Sequence, residues 1–331
     1  MFVGHALAAF AIAAAVTRRV GERPGRALTL GLVAGLFAAA PDVDIGYALV
    51  GVVSGLSAGS GPLGLASSFW ETGNVVHRAV THSLVVAPVV ALAAAAWVDG
   101  RRPTQLVALA VASGLVAVTA AVGGGLAAFV TVAFVASALV ISEAVRRRTD
   151  LSPRTTFALA LFGLVSHPFG DVFTGEPPAL LYPFGTEVLS ARVALSTDPT
   201  LHLLGAFALE VATIWAALVV WSRLRAERDG RTVRPFDLPR RIAPRAVAGA
   251  GYAASVFVIP APTLDLSYPF VFSVLAVGTV GFAPIRLRRY GRLAVAPEFA
   301  KPGLERSVFT GLTAVTLAAV AYGIAYFVGV A

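Results

Sequence analysis

Long apolar stretches, separated by short arginine-rich segments, set the fold class of this chain. Hydrophobic residues make up 57% of its 331 residues and charged residues only 13%, which is far less charge than a soluble domain of this size carries. Apolar runs near the ~20 residues needed to cross a bilayer are typical of polytopic helical proteins. The sequence therefore predicts an all-α, multi-pass protein of the cell membrane.

Hydropathy predicts about ten transmembrane helices. They lie near residues 2–17, 26–41, 83–98, 104–122, 125–144, 155–170, 200–222, 246–262, 268–284 and 307–329. The pair at 104–144 is divided at Gly123–Gly125 by a glycine turn signal. We expect residues 1–222 to form one bundle and residues 223–331 to add a three-helix extension with basic loops. The apolar residues 45–70 are expected to form a re-entrant or interfacial segment.

Arginine placement predicts the sides of the membrane. Arginines fill the loops after the first, third, fifth, seventh and ninth predicted spans, and the positive-inside rule places those loops in the cytoplasm. The net charge of +8 then reflects topology and anionic lipid headgroups rather than nucleic acid. We expect the first span to be uncleaved, with its N-terminus outside. A cleaved signal peptide, which would remove His5, is the alternative.

Histidines and carboxylates gather at the predicted outer ends of the spans. These residues are His5, Asp42, Asp44, His77, His82, His167, Asp171 and His202, which include all five histidines of the chain. Such groups are costly in or near lipid, so their grouping indicates metal binding or proton handling. The chain has no cysteine, so any metal must be held by nitrogen and oxygen. Polar residues also collect at helix ends without any such role, which explains one or two of these residues more easily than all of them.

Two motifs near the second and third spans contain candidate ligands. The first is PDVD at residues 41–44, where two carboxylates at a turn suit a divalent cation but also a helix N-cap. The second is HRAVTHS at residues 77–83, which combines two histidines with Arg78. An arginine among ligands suits an anionic oxygen such as that of phosphate. Two interfacial histidines with an anchoring arginine are the alternative.

A third motif, SHPFGD at residues 166–171, ends the sixth span. His167 and Asp171 are four positions apart and so share one helical face, a usual arrangement for two metal ligands. Pro168 is expected to kink the helix, and a merely polar helix end is the alternative. His5 and His202 are weaker candidates, because a lone histidine in a span more often bonds between helices.

A known family carries these motifs in the same order. The chain resembles the YdjM-like family of membrane-bound metal-dependent hydrolases in GHALAAF, PDVD, HRAVTHS and GLVSHPFGDVFT followed by LLYPF, over about residues 1–190. The resemblance implies metal ligation by His5, Asp42, Asp44, His77, His82, His167 and Asp171, with Arg78 and Thr81 as further site residues. The family's remote relation to zinc-dependent phospholipase C implies zinc, as one ion or more, and a phosphoester substrate.

Two functional hypotheses follow. The first is a membrane hydrolase whose metal activates water, with Asp44 accepting a proton and Arg78 stabilising negative charge. Its expected partners are membrane lipids and a small-molecule or lipid phosphoester at the outer face, and no nucleic acid. The second is a non-enzymatic metal-binding protein or transporter, or a family member whose ligands only staple the bundle. The near absence of ionisable residues from the cytoplasmic half of the spans favours the hydrolase.

Overall fold

The computed structural model is predominantly helical. It describes residues 2–74, 78–185, 187–231, 241–290, 294–299 and 303–330. The α-helices are α1 Phe2–Arg19, α2 Pro24–Ala39, α3 Ala48–Ser57, α4 Pro62–Asn74, α5 Val86–Val98, α6 Arg102–Arg148, α7 Pro153–Asp171, α8 Pro199–Arg228, α9 Tyr268–Val277 and α10 Leu304–Val330. Segments of 3₁₀ helix lie at Ala40–Tyr47, Val80–His82, Pro244–Phe257 and Gly278–Phe282. An antiparallel hairpin pairs β1 (Ile285–Tyr290) with β2 (Ala294–Phe299).

The helices support a membrane protein without confirming ten spans. Within the described ranges, 4 helical stretches are long and apolar enough to cross a membrane, namely Pro24–Ser57, Arg102–Arg148, Pro199–Arg228 and Leu304–Gly329. The predicted span 246–262 coincides instead with a 3₁₀ segment that ends at Phe257, and the predicted span 268–284 with the short helix α9. The hairpin is a local exception to the all-α prediction. It lies in the arginine-rich segment that follows the ninth predicted span.

α6 reverses direction at Gly124, as the glycine signal predicts. Gly124 has φ 73° and ψ −168°, which are not helical angles. Trp97, at the end of α5 and close to the start of α6, donates from Nε1 to Oε2 of Glu143, near the end of α6, at 2.9 Å. A Cβ on Gly100 would lie 3.6 Å from the Arg146 side chain. Because both ends of this 47-residue element meet, it consists of two arms that fold back on each other.

Residues 45–70 contain a pair of short helices. α3 packs against α4 so closely that a Cβ on Gly51 would lie 2.2 Å from the carbonyl oxygen of Ser68. α3 has 10 residues, or about 15 Å of helix, which is half of the ~30 Å hydrocarbon core. This segment is therefore helical, and the re-entrant or interfacial placement stays a prediction, since α3 is also the end of the apolar stretch Pro24–Ser57.

Two compact units divide the chain. The first comprises Met1–Val193 and Ala216–Gly230, and its core joins α2, α5, the second arm of α6 and α7 through residues such as Phe37, Phe134 and Leu164. Ser152 starts α7 by accepting a hydrogen bond from the Thr155 N–H at 3.2 Å, with a proline at the first helical position.

The second unit comprises Ala194–Trp215 and Arg231–Ala331. Its core is aromatic, with the ring of Phe270 centred 5.6 Å from that of Phe207 and 5.1 Å from that of Tyr322. α8 contributes residues to both units, so the predicted boundary at residues 222–223 falls inside a helix. The division into 1–222 and 223–331 stays a prediction.

Candidate metal centre

Four segments of the first unit bring polar side chains to one buried point. α1 contributes His5, the 3₁₀ segment after α2 contributes Asp42, the turn before α5 contributes His82, and α7 contributes His167 and Asp171. All of these except Asp42 are at most 5% exposed. Two overlapping groups each have their ligand atoms within 4.8 Å of one another. They are His5 with His167 and Asp171, and Asp42 with His82 and His167.

Glycines allow the helices to approach closely enough to form this cluster. A Cβ on Gly163 of α7 would lie 2.5 Å from a backbone carbonyl of α2, and one on Gly35 of α2 would lie 2.7 Å from a carbonyl of α1. A Cβ on Gly170 would lie 2.4 Å from Cε1 of His5. Any side chain at these positions would push the helices or the imidazole away, because close-packed interiors have no space to give.

The Nε2 atoms of two histidines, His82 and His167, face the carboxylate of Asp171. His82 Nε2 lies 2.9 Å from Asp171 Oδ2 and 3.0 Å from His167 Nε2. His167 Nε2 lies 3.5 Å from Asp171 Oδ2 and 3.5 Å from Asp42 Oδ1. The side chains of His82, His167 and Asp171 are 0–1% exposed, so water screens their interactions little. These separations suit N–H···O hydrogen bonds where a ring nitrogen carries the proton, and donors around a shared cation where it does not.

Hydrogen bonds on the far side of each ring fix which nitrogen faces the cluster. His167 Nδ1 donates to the carbonyl oxygen of Ala38 at 2.6 Å, so Nε2 of the neutral ring keeps its lone pair. Thr81 Oγ1 donates to Asp44 Oδ2 at 2.6 Å and lies 2.8 Å from His82 Nδ1. Since its one hydrogen is used, Thr81 accepts from the N–H at His82 Nδ1, so the Nε2 of a neutral His82 ring is the nitrogen that faces Asp171 and His167. Partners of this kind orient metal-binding histidines.

His5 and Asp42 extend the donor set. His5 Nε2 lies 3.2 Å from Asp171 Oδ1, and its ring centroid lies 4.1 Å from that of His167. Asp42 Oδ2 is buried and has no hydrogen-bond partner in the part of the chain that the structure describes. Buried polar atoms are nearly always partnered, and a cation beside Asp42 would supply the missing contact. The residues present therefore fit a divalent metal bound by nitrogen and oxygen.

Arg78 binds the end of α7. Its Nη2 donates to Asp171 Oδ1 at 3.2 Å and to Thr174 Oγ1 at 3.1 Å. Its Nη1 donates to the backbone carbonyls of Asp171, Thr174 and Glu176. Burial lowers the pKa of the Arg78 guanidinium from its ordinary value, and the Asp171 carboxylate acts in the opposite direction. Arg78 thus holds Asp171 and the following turn in position, and a contact with substrate stays a prediction.

Comparison with known proteins decides the family. The family model described as YdjM inner membrane protein matches residues 1–228, a range that contains every donor of the cluster. The chain belongs to the YdjM inner membrane protein family. Its membership confirms the resemblance read from the motifs and supports the predicted membrane location. No curated protein and no solved structure matches the chain.

In this YdjM family member, the predicted ligands do not all face one point. Those that converge are His5, Asp42, His82, His167 and Asp171. Asp44 lies behind the His82 ring, with its Oδ2 3.8 Å from Nδ1, the nitrogen turned away from the cluster. Thr81 connects the two. Asp44 and Thr81 are therefore situated to orient His82, and direct ligation by Asp44 stays a prediction.

Two predicted histidines need separate mention. His77 lies outside the described residues, so its contribution stays a prediction. His202 belongs to the second unit, where its Nδ1 accepts a hydrogen bond from the Leu195 N–H at 3.0 Å. It is in neither of the candidate metal-binding groups formed by the described residues.

Sequence reasoning missed the groups that orient the YdjM family site. The carbonyl of Ala38 is a backbone group and has no signal in the side-chain pattern. Thr174 and Gly175 follow the aspartate of the third motif, and such a pair is a recognisable turn signal. Gly175 has φ +58°, and a Cβ there would lie 3.0 Å from Nη1 of Arg78. The glycine thus leaves space for the guanidinium.

Proposed function

We propose that this protein is an integral membrane hydrolase that uses a divalent metal, with zinc favoured, to cleave a lipid or lipid-linked phosphoester at the outer membrane face. One observation carries the proposal: the Nε2 atoms of His82 and His167 converge with the carboxylates of Asp171 and Asp42 in a buried cluster whose donor atoms lie within 4.8 Å of one another in each candidate group. Family membership and the long apolar helices agree with a site inside a membrane protein.

The donor geometry favours a single ion centred on His167. Both candidate groups share this residue, and its one available ring nitrogen has a single lone pair, which binds one ion. His82, Asp171 and Asp42 are the neighbouring donors. The Asp42 side chain is 14% exposed whereas that of His167 is 0% exposed, so water would reach the site from the side of Asp42.

The chain's own residues would then divide the chemical work. A divalent ion in this site supplies a Lewis acid that polarises a phosphoryl oxygen and makes water nucleophilic near neutral pH. Asp42 would contribute Oδ1, which lies 3.5 Å from His167 Nε2, as the metal donor. Its Oδ2, which is unpartnered among the described atoms, would be the oxygen that accepts the proton of a metal-bound water. This role was predicted for Asp44, but Asp44 is 2% exposed and its Oδ2 accepts from Thr81. Asp44 therefore acts through Thr81, by holding the His82 tautomer.

The burial of the cluster favours one alternative function, in which the metal ion is structural. Three of its side chains are 0–1% exposed, and structural metal sites are closed whereas catalytic sites keep an open position. In this second candidate function, the ion only ties α1, α2 and α7 together. The two functions agree on metal binding and differ on hydrolysis.

The test measures metal content and hydrolysis in the same samples. The purified protein in detergent is analysed by elemental mass spectrometry, then assayed for phosphate release from a panel of lipid phosphate monoesters and diesters. The variants are His82→Ala and Asp171→Asn, with His202→Ala as the matched histidine control. We expect both cluster variants to lose metal and hydrolysis, because each removes a donor, and the control to keep both.

The outcomes separate the candidates. Metal that is retained in both cluster variants would remove the basis of the proposal. Metal that is lost in both, with no lipid phosphoester cleaved by the wild-type protein, would favour the structural ion. Hydrolysis that survives chelation and both substitutions would place the reaction elsewhere in the chain.

A further inference from the structure

An apolar cleft of about 640 Å³ lies beside the donor cluster. One wall consists of residues 43–50 and the other of residues 125–133, at the start of the second arm of α6. The lining is apolar except at Asp44 and the Tyr47 hydroxyl. Small-molecule sites occupy about 300–1,000 Å³ and are mostly apolar, so this cleft has the size and lining of a ligand site.

The surroundings of the cleft indicate what fills it. Its walls belong to Pro24–Ser57 and Arg102–Arg148, two of the stretches apolar enough to cross a membrane. Val50 and Phe129 of the lining are 51% and 60% exposed. Such exposure is unfavourable in water but favourable against lipid hydrocarbon. An acyl or prenyl chain is therefore the natural occupant.

The polar end of the cleft lies near the donor cluster. Asp44 lines the cleft, and its carboxylate lies 3.8 Å from the His82 ring. The opposite nitrogen of that ring faces Asp171 and His167. The cleft therefore ends at Asp44, on the side of the buried His82 ring opposite the donors.

We propose that this cleft holds one hydrocarbon chain of the lipid substrate, with the polar end of the lipid beside Asp44 and next to the donor cluster. The identity of the headgroup rests on the proposed function, but occupancy by a chain does not. Specificity would then come from the hydrocarbon chain as well as from the phosphate, so soluble short-chain phosphoesters would bind weakly.

Two glycines allow the cleft to be blocked without disturbing the donors. Gly46 and Gly125 line it, and a Cβ at either would meet nothing within 4 Å. Neither residue has a positive φ, so leucine is accommodated without backbone strain. A Cβ on Gly114, in the first arm of α6, would also meet nothing within 4 Å, and Gly114 does not line the cleft. Gly114→Leu is therefore the matched control.

The experiment uses the full chain in phosphatidylcholine nanodiscs that contain a phosphatidate with a mid-chain diazirine. After irradiation, mass spectrometry of peptides locates the adducts, and the metal content of each sample is measured in parallel. We expect adducts in the wild-type protein to concentrate on residues 125–133. Gly46→Leu and Gly125→Leu should each reduce them about tenfold, since excluding about two methylene groups weakens binding to that extent.

The results can refute the two proposals separately. Adducts spread evenly over the exposed helix faces, or an equal loss of cleft adducts in Gly114→Leu, would overturn the cleft proposal. Cleft adducts in a wild-type protein that binds no metal would support chain binding and refute the hydrolase. A wild-type protein that binds metal but gives no cleft adducts would refute the binding of a hydrocarbon chain and leave the proposed hydrolase unaffected.

Discussion

Replacing Thr81 by valine tests whether the hydroxyl group sets the metal-binding face of His82. Valine keeps the branched shape of threonine but exchanges the hydroxyl for a methyl group. In the native site, the hydroxyl donates to Asp44 Oδ2 at 2.6 Å and accepts from His82 Nδ1 at 2.8 Å. Without it, the His82 proton has no acceptor at Nδ1 and moves to Nε2, where Asp171 is 2.9 Å away.

The expected magnitude follows from these two contacts. Thr81 is 3% exposed and Asp44 2% exposed, so water does not replace the lost partners. Losing one charge-assisted and one neutral hydrogen bond destabilises the fold by about 2–4 kcal/mol. Losing the group that orients a metal-binding histidine weakens metal affinity about 10- to 100-fold, which equals about 1.4–2.7 kcal/mol.

The assay is a zinc titration in competition with a chelating dye, on the wild-type protein, Thr81→Val and Thr81→Ser. Serine keeps the hydroxyl, so we expect it to bind zinc nearly as tightly as threonine. ¹⁵N NMR of labelled histidines in the metal-free protein should show the His82 proton on Nδ1 in the wild type and on Nε2 in Thr81→Val. Wild-type zinc affinity in Thr81→Val would refute the tautomer argument.

Two further substitutions probe the supports of the cluster. Gly170→Ala should displace His5, because the new Cβ would lie 2.4 Å from its Cε1. We expect about tenfold weaker zinc binding in the same titration, and unchanged affinity would show that His5 is not needed. Arg78→Lys should lower the free energy of unfolding by about 3 kcal/mol, because one ammonium cannot reach both Asp171 and Thr174. The measurement is denaturant or thermal unfolding in detergent, and an unchanged stability with reduced turnover would instead favour the predicted contact of Arg78 with substrate.

Spacing within one helix predicted part of the site correctly. His167 and Asp171 share a face because α7 continues through Pro168 to its end at Asp171, so the four-residue spacing kept its geometric meaning. The 3₁₀ segment behaves differently. Asp42 and Asp44 are two positions apart, or about 240° around a 3₁₀ helix, so one faces the cluster and the other lies behind His82. Their spacing alone could not assign these roles.

Hydropathy predicted the class of protein more reliably than the number of spans. It records how apolar a stretch is but not whether its backbone forms a long α-helix. The stretch 244–257 is apolar enough to suggest a span, yet it forms a 3₁₀ helix. The reversal at Gly124 was predictable because it depends on a local property, the tolerance of glycine for φ 73°.

The amino-acid sequence by itself determined that this chain is a helical membrane protein. It also determined that any metal must be held by nitrogen and oxygen atoms, because the chain has no cysteine. Those conclusions depend on composition, which no fold can alter. Only the tertiary structure decided which donors face one another and which nitrogen of each ring points toward them. His167 is oriented by the carbonyl of Ala38, 129 positions away in the chain, and contacts across such separations exist only after the helices have packed.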